Sequence, residues 1–180
     1  MCTFNVFSKF NTIAAVGCTT MGVILLMIAI FPLEWSRAKK AKTFKGLWGY
    51  SYDTFNFEYS ESEISPALHL TRALSTIAVV TSWAALLLCS IHTIETVLFF
   101  TISRRVHLGF GLLVFHTAMG SWVCSILAML VWGFAVHDMN TYEFGSGFVI
   151  CLMGAFLVLM GGLEAYNATI TQHPRPRVLS

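Results

Sequence analysis

The sequence predicts an all-helical membrane protein of four spans with a small β-hairpin in its first loop. Of 180 residues, 56% are hydrophobic, only 11% are charged, and the mean hydropathy is +0.71. A soluble domain carries about a quarter charged residues. The apolar residues fall into four runs, each near the roughly 20 residues that cross a bilayer as a helix. Aromatic residues alternate in the one long polar segment between runs, as in paired strands. A free-standing soluble domain and intrinsic disorder are excluded on the same grounds. Eleven Lys and Arg against nine Asp and Glu give a net charge of +2, which is no electrostatic footprint for nucleic acid.

Span one, 10–33, carries no charge, and Glu34, Arg37, Lys39 and Lys40 follow it. It is longer than the apolar region of a secretory signal and lacks a small-residue cleavage site, so it reads as a retained helix. Span two, 73–95, begins after Arg72, and helix can continue past His92 and Glu95 to Ile102. Span three, 108–136, has His116 as its only potentially charged side chain, and span four, 144–164, ends at Glu164. Four spans put both termini on one side. The connections are a polar loop, 34–71, a short link with Arg104 and Arg105, and a tight turn, 137–143. The tail 167–180, with Pro174 and Pro176 around Arg175, reads as disordered. The whole chain, 1–180, is thus expected to be one tetraspan domain.

Lysine and arginine counts do not orient it. Lys9, Arg104, Arg105, Arg175 and Arg177 lie on one side, and Arg37, Lys39, Lys40, Lys42, Lys45 and Arg72 on the other. Cys2, Cys18, Cys89, Cys124 and Cys151 all fall in spans or at the amino terminus, so the long loop cannot hold a disulfide.

Within that loop Trp48, Tyr50 and Tyr52 alternate with Gly49 and Ser51, and Phe55, Phe57 and Tyr59 alternate with Asn56 and Glu58. A turn at Asp53 and Thr54 would set Tyr52 against Phe55, Tyr50 against Phe57 and Trp48 against Tyr59, with six rings on one face. The turn lacks the glycine that two-residue hairpins favour. The competing reading is an irregular loop whose aromatics rest on the membrane interface.

Leu33-Glu34-Trp35, Gly46-Leu47-Trp48, Thr71-Arg72-Ala73-Leu74, Tyr142-Glu143-Phe144-Gly145 and Gly161-Gly162 occur in an order and spacing that resembles the claudin and peripheral myelin protein superfamily. The resemblance runs the length of the chain. It implies a left-handed four-helix bundle, cytoplasmic termini, an extracellular sheet formed mainly by residues 34–71, and a place in the plasma membrane. Family-motif roles fall on Trp35, Gly46, Leu47, Trp48, Arg72, Glu143 and Gly145. The chain departs from claudins in lacking the two cysteines that staple that sheet after Gly-Leu-Trp, and its end, Arg177-Val178-Leu179-Ser180, lacks the hydrophobic last residue that docks PDZ scaffolds. The natural killer cell granule branch is similarly cysteine-poor in this loop. The lens fibre and epithelial membrane protein branches resemble its size and tail.

Chemistry-bearing residues are sparse. His116 and Glu164 are the obvious ionisable groups in the spans, and charge in hydrocarbon is costly enough to make such groups functional candidates. Neither sits in a motif, and the thiols are not spaced for zinc. A neutral His116 hydrogen-bonded inside the bundle is favoured over a ligand or proton carrier, and Glu164 is expected to snorkel to the interface. No catalytic residue, cofactor or metal is expected. Arg72 has two open readings: a tie from the bundle to loop carbonyls or to Glu34, Glu61 or Glu63, or a snorkelling interfacial arginine. The run from Arg37 to Lys45 reads as solvated, with contact to anionic headgroups as the alternative. Asn167-Ala168-Thr169 fits a glycosylation site on the unmodified cytoplasmic side, and Cys2 is a weak palmitoylation candidate.

Two function classes fit, both non-enzymatic. The favoured one is membrane organisation or adhesion through the loops, with Tyr50, Tyr52, Phe55, Phe57 and Tyr59 as partner contacts in cis or trans, including other copies of the chain. The alternative is an auxiliary subunit held laterally by a channel, receptor or transporter, and a paracellular barrier or pore comes third. Exposed aromatic loop tips would favour the first, and a stripe of small residues on the lipid face the second.

Overall fold

The computed structural model describes residues 2–31, 34–39, 42–52, 55–60, 62, 64–98 and 104–172, with backbone alone for 2–9, 98, 104–108 and 171–172. The expected turn at Asp53 and Thr54, the candidate Arg72 partners Glu61 and Glu63, and the tail beyond 172 lie outside the described residues.

The elements follow in the order α1 (Cys2–Ile30), β1 (Ser36–Ala38), β2 (Thr43–Lys45), β3 (Gly49–Tyr52), β4 (Phe55–Glu58), α2 (Pro66–Leu98), α3 (Arg104–Val131), a π-helical turn (Trp132–Val136), β5 (Tyr142–Phe144) and α4 (Ser146–Gln172). Stretches Phe10–Ile30, Pro66–Val97, Gly109–Val136 and Ser146–Ile170 are long and apolar enough to cross a membrane, and the chain is a four-span integral membrane protein in contact with the lipid bilayer. Many serine and threonine hydroxyls inside these helices donate to a carbonyl one turn back in the same helix, as Thr19 does to Ala15 O and Thr96 to His92 O.

Helix α2 begins at Pro66, a full two turns before the apolar run at Ala73. Ser65 Oγ accepts the Leu68 N–H at 3.2 Å as an N-cap, and Pro66 occupies the first helical position, where its missing N–H costs nothing. Hydropathy marks where α2 enters lipid, and the cap marks where it starts.

The helices form a closed ring in which α1 packs on α4 and α2, and α3 packs on α2 and α4. The α1–α4 contact is the most extensive because backbones meet there: a Cβ on Gly154 would lie 3.0 Å from both Gly22 O and Leu26 N. Ser121 Oγ donates across to Ala78 O at 2.8 Å, tying α3 to α2.

All five strands lie at one end of the bundle in a single antiparallel sheet of order β4-β3-β2-β1-β5. The β3–β4 register pairs Tyr52 with Phe55 and Tyr50 with Phe57, as the alternation predicts. The tight turn after span three contributes more than a connection, since β5 pairs with β1 through Ser36–Phe144, Arg37–Glu143 and Ala38–Tyr142. Phe144 therefore belongs to a strand and not to the start of a helix.

Candidate functional site

Where α1 stops, the chain turns inward and buries Trp35 completely between the helix ends. Its ring meets the equally buried Trp132 edge-on at 5.3 Å and Phe148 at 6.1 Å. The Trp35 indole N–H donates to Ala29 O at 2.6 Å, satisfying a carbonyl left over at the α1 C-terminus. Trp132 donates its own indole N–H to Ser36 Oγ at 3.0 Å, and Ser36 Oγ lies 2.7 Å from His137 Nδ1. With the indole proton received, the Ser36 hydroxyl still has its own proton to give, and a neutral His137 with Nδ1 as the acceptor completes the chain Trp132–Ser36–His137. Burial pushes His137 below the usual histidine range of 6.5, Lys39 pushes the same way, and Asp138 opposes them. Asp138 is itself held below its ordinary value, first by the Thr141 hydroxyl and then by the Asn140 N–H, within a solvent-exposed turn.

The end of the second loop is stitched to the start of the first. Gly145 N–H donates to Trp35 O and Gly147 N–H to Glu34 O, each at 3.0 Å, while Ser146 Oγ donates to Glu34 Oε2 at 2.5 Å. Any side chain at Gly145 would collide with the Glu34 carbonyl, which is the physical requirement for glycine there. His137 stacks on Phe144 at 4.2 Å and Phe144 on Phe148 at 4.3 Å, so β5 is packed into the same aromatic group. Glu143 is exposed and pairs in register with Arg37.

A second anchor holds the middle of the sheet. Arg72 Nε donates to Leu47 O at 2.7 Å, and its guanidinium carbon lies 5.1 Å from the Trp48 ring centroid and 5.8 Å from that of Tyr59. Leu47 is fully buried in the cluster that also contains Leu26, Trp35 and Trp132. Tyr59 O–H donates to Gly46 O at 3.1 Å, and Gly46 N–H to Gly49 O at 2.9 Å, fixing the bend between β2 and β3. Among the described residues, the expected partner that Arg72 meets is a loop carbonyl, while Glu34 bonds Ser146 instead.

The structure divides the expected contact residues. Tyr50 and Tyr59 are half-buried, with Tyr50 stacked on Phe57 at 5.4 Å and 5.7 Å from Tyr59. Tyr52, Phe55 and Phe57 are 60%, 67% and 45% exposed, and every residue of the edge strand β4 is open. The basic run is more ordered than a solvated stretch: Lys39 Nζ donates to Met139 O at 2.8 Å, Lys45 Nζ lies 4.6 Å from the Tyr142 ring, and Arg37 lies 5.6 Å from the Phe44 ring.

Inside the spans the expectation for His116 is corrected. Its ring bonds Leu112 O at 2.7 Å, but on the exposed face of α3, because a helix that is apolar all round gives no sequence signal for which side faces lipid. Among the described residues His92 is the fully buried histidine, and Glu95 lies one turn further along α2. Glu164 is half-buried. Among the described residues no group of three His, Cys, Asp or Glu side chains is placed to hold a metal ion.

Sequence reasoning missed Ser36, Trp132, His137 and Phe148, which join residues about a hundred positions apart and carry no local pattern. No protein-family model matches the chain, and no curated protein matches it.

Proposed function

We propose that this four-span protein is a non-enzymatic, claudin-like organiser of membrane contacts that meets its partner through the exposed aromatic edge of the sheet. The observation that carries this reading is that Tyr52, Phe55 and Phe57 stand open on β3 and β4, on a sheet otherwise anchored by Trp35 and Arg72. Exposed rings on a rigid base cost little conformational entropy on binding and supply large contact area. The lateral-subunit reading rests on less: Gly22, Gly154 and Gly161 are spent inside the bundle, and the open Gly17, Gly109 and Gly120 stand apart on α1 and α3, with bulky Ile13, Met21, Leu112, Leu113, His116 and Val123 among their helical neighbours. The sheet then faces outside the cell at the plasma membrane, with both termini in the cytoplasm.

Two populations of adherent cells expressing differently coloured full-length chains test it. Enrichment where a red cell meets a green one, lost when Tyr52, Phe55 and Phe57 are all changed to Ser at unchanged surface level, supports contact through the sheet. Even distribution around the cell, or enrichment that survives the triple substitution, refutes it.

A further inference from the structure

Between α1 and α2, just beneath the sheet, lies an apolar groove of about 290 Å³ lined by Met27, Ile30, Phe31, Trp48, Thr76 and Val79, with Val80 at its rim. Val80 and Phe31 are 63% and 70% exposed, so the groove opens sideways to lipid. We propose that it holds one acyl chain of a phospholipid from the sheet-side leaflet, with the phosphate of that lipid on Arg72.

Three observations select this occupant. The groove's α1 and α2 walls, Met27 to Phe31 and Thr76 to Val80, each run about 6 Å, one helical turn, too short a track for a partner helix crossing the bilayer. Its walls are apolar apart from Thr76, so it suits a stretch of hydrocarbon chain and offers little to orient a polar ligand. The third is charge placement. Arg72 stands one turn nearer the sheet than Thr76 on the same helix, its guanidinium over the Trp48 ring that closes the groove. Only its Nε is engaged among the described residues, by Leu47 O, which leaves the terminal N–H fork for an anion. A planar fork of N–H donors matches phosphate oxygens, and an arginine at the headgroup level above an apolar slot fits the two ends of one phospholipid.

The test uses the full chain in nanodiscs of phosphatidylcholine doped with phosphatidylcholine carrying a photoactivatable diazirine in mid-chain, with crosslinked peptides mapped. Labelling at Met27–Phe31 and Thr76–Val80 is expected at about tenfold over the exposed α3 surface around Leu127 and Leu130, the reference for bulk lipid. Filling the groove by Val79→Trp, or separately by Thr76→Trp, should bring it down to that reference level while the thermal melt stays close to wild type. Arg72→Lys, which keeps the charge without the fork, should lower chain labelling in part and Arg72→Gln should lower it further; labelling that Arg72→Gln leaves at the wild-type level overturns the phosphate contact. Uniform labelling around the protein overturns the proposal, as does groove labelling that neither filling variant lowers. Preferential labelling by a diazirine sterol over the phospholipid also overturns it, in favour of a sterol. None of these outcomes depends on cell contacts, so the groove and the proposed function stand or fall separately.

Discussion

Trp35→Ala should release the sheet from the bundle. The substitution removes an indole that is wholly buried between Trp132 and Phe148 and strands the Ala29 carbonyl it satisfies. Truncating a packed tryptophan costs about 3–5 kcal/mol, and leaving a buried acceptor unpaired about 1–3 kcal/mol. The sum, about 4–8 kcal/mol, is comparable with the net stability of about 5–15 kcal/mol of an ordinary domain. At about 2–4 °C per kcal/mol for a chain of this size, the detergent melting temperature should fall by about 8–30 °C and surface delivery should drop with it. Trp35→Phe keeps an aromatic ring but loses the N–H donor, so about a third of that loss is expected. Tyr52→Ala, at an exposed ring outside both anchors, should move the melt by no more than about 0.5 kcal/mol, or 1–2 °C. Equal shifts for Trp35→Ala and Tyr52→Ala, or a silent Trp35→Ala, would refute the anchor.

The His137 contact predicts acid sensitivity. Its folded value is lowered, so the unfolded chain binds the proton more readily; the stabilisation is whole above about 6.5 and is lost as pH falls through the folded value. Melting curves at pH 7.5 and pH 5 should show that loss for the wild type and less of it for His137→Asn, and equal slopes would contradict the Ser36–His137 arrangement. Gly154→Leu should separate α1 from α4, since even a Cβ there meets backbone at 3.0 Å; overpacking of about 1–3 kcal/mol should appear in the melt, with Gly154→Ala milder. Ser125 Oγ is buried with no hydrogen-bond partner among the described residues, so Ser125→Ala should be neutral or stabilising, and a clear fall in melting temperature would reveal an unrecognised partner. For the proposed orientation, tags at either terminus should be reachable only in permeabilised cells and a tag near Glu61 on intact ones; surface labelling of an amino-terminal tag without permeabilisation counts against it.

What was legible in the sequence follows from how local each signal is. A run of apolar residues is a property of neighbours, and so is the alternation that pairs Tyr52 with Phe55 and Tyr50 with Phe57. The rest of the sheet is not. Strand β5 is three residues long and largely exposed, so nothing in Tyr142-Glu143-Phe144 announces that it pairs with Ser36–Ala38. His116 and His92 illustrate a different limit. In a helix that is apolar all round, the side facing the neighbours is fixed by close approaches elsewhere, such as Gly162 on Ala118, and not by a polar stripe. The early start of α2 was readable from Ser65-Pro66, and hydropathy alone conceals it.

The first loop has no cysteine, and these distant contacts take the place a disulfide could have. A disulfide would tie the sheet to itself, mainly by restricting the unfolded loop. Here the sheet is tied to the bundle instead, by Trp35 on Ala29 O, Trp132 on Ser36, Arg72 on Leu47 O and Gly145 on Trp35 O. These bonds reach β1, its link to β5 and the bend before β3, and none reaches β4, which is held to β3 by backbone pairing and by the Tyr50–Phe57 stack along its exposed length. The hydrogen bonds to the bundle therefore thin out across the sheet from β5 to β4. The strand that carries Phe55 and Phe57 is thus the one farthest from the ties to the bundle, and in the proposed contact it is the part of the sheet with most room to adjust.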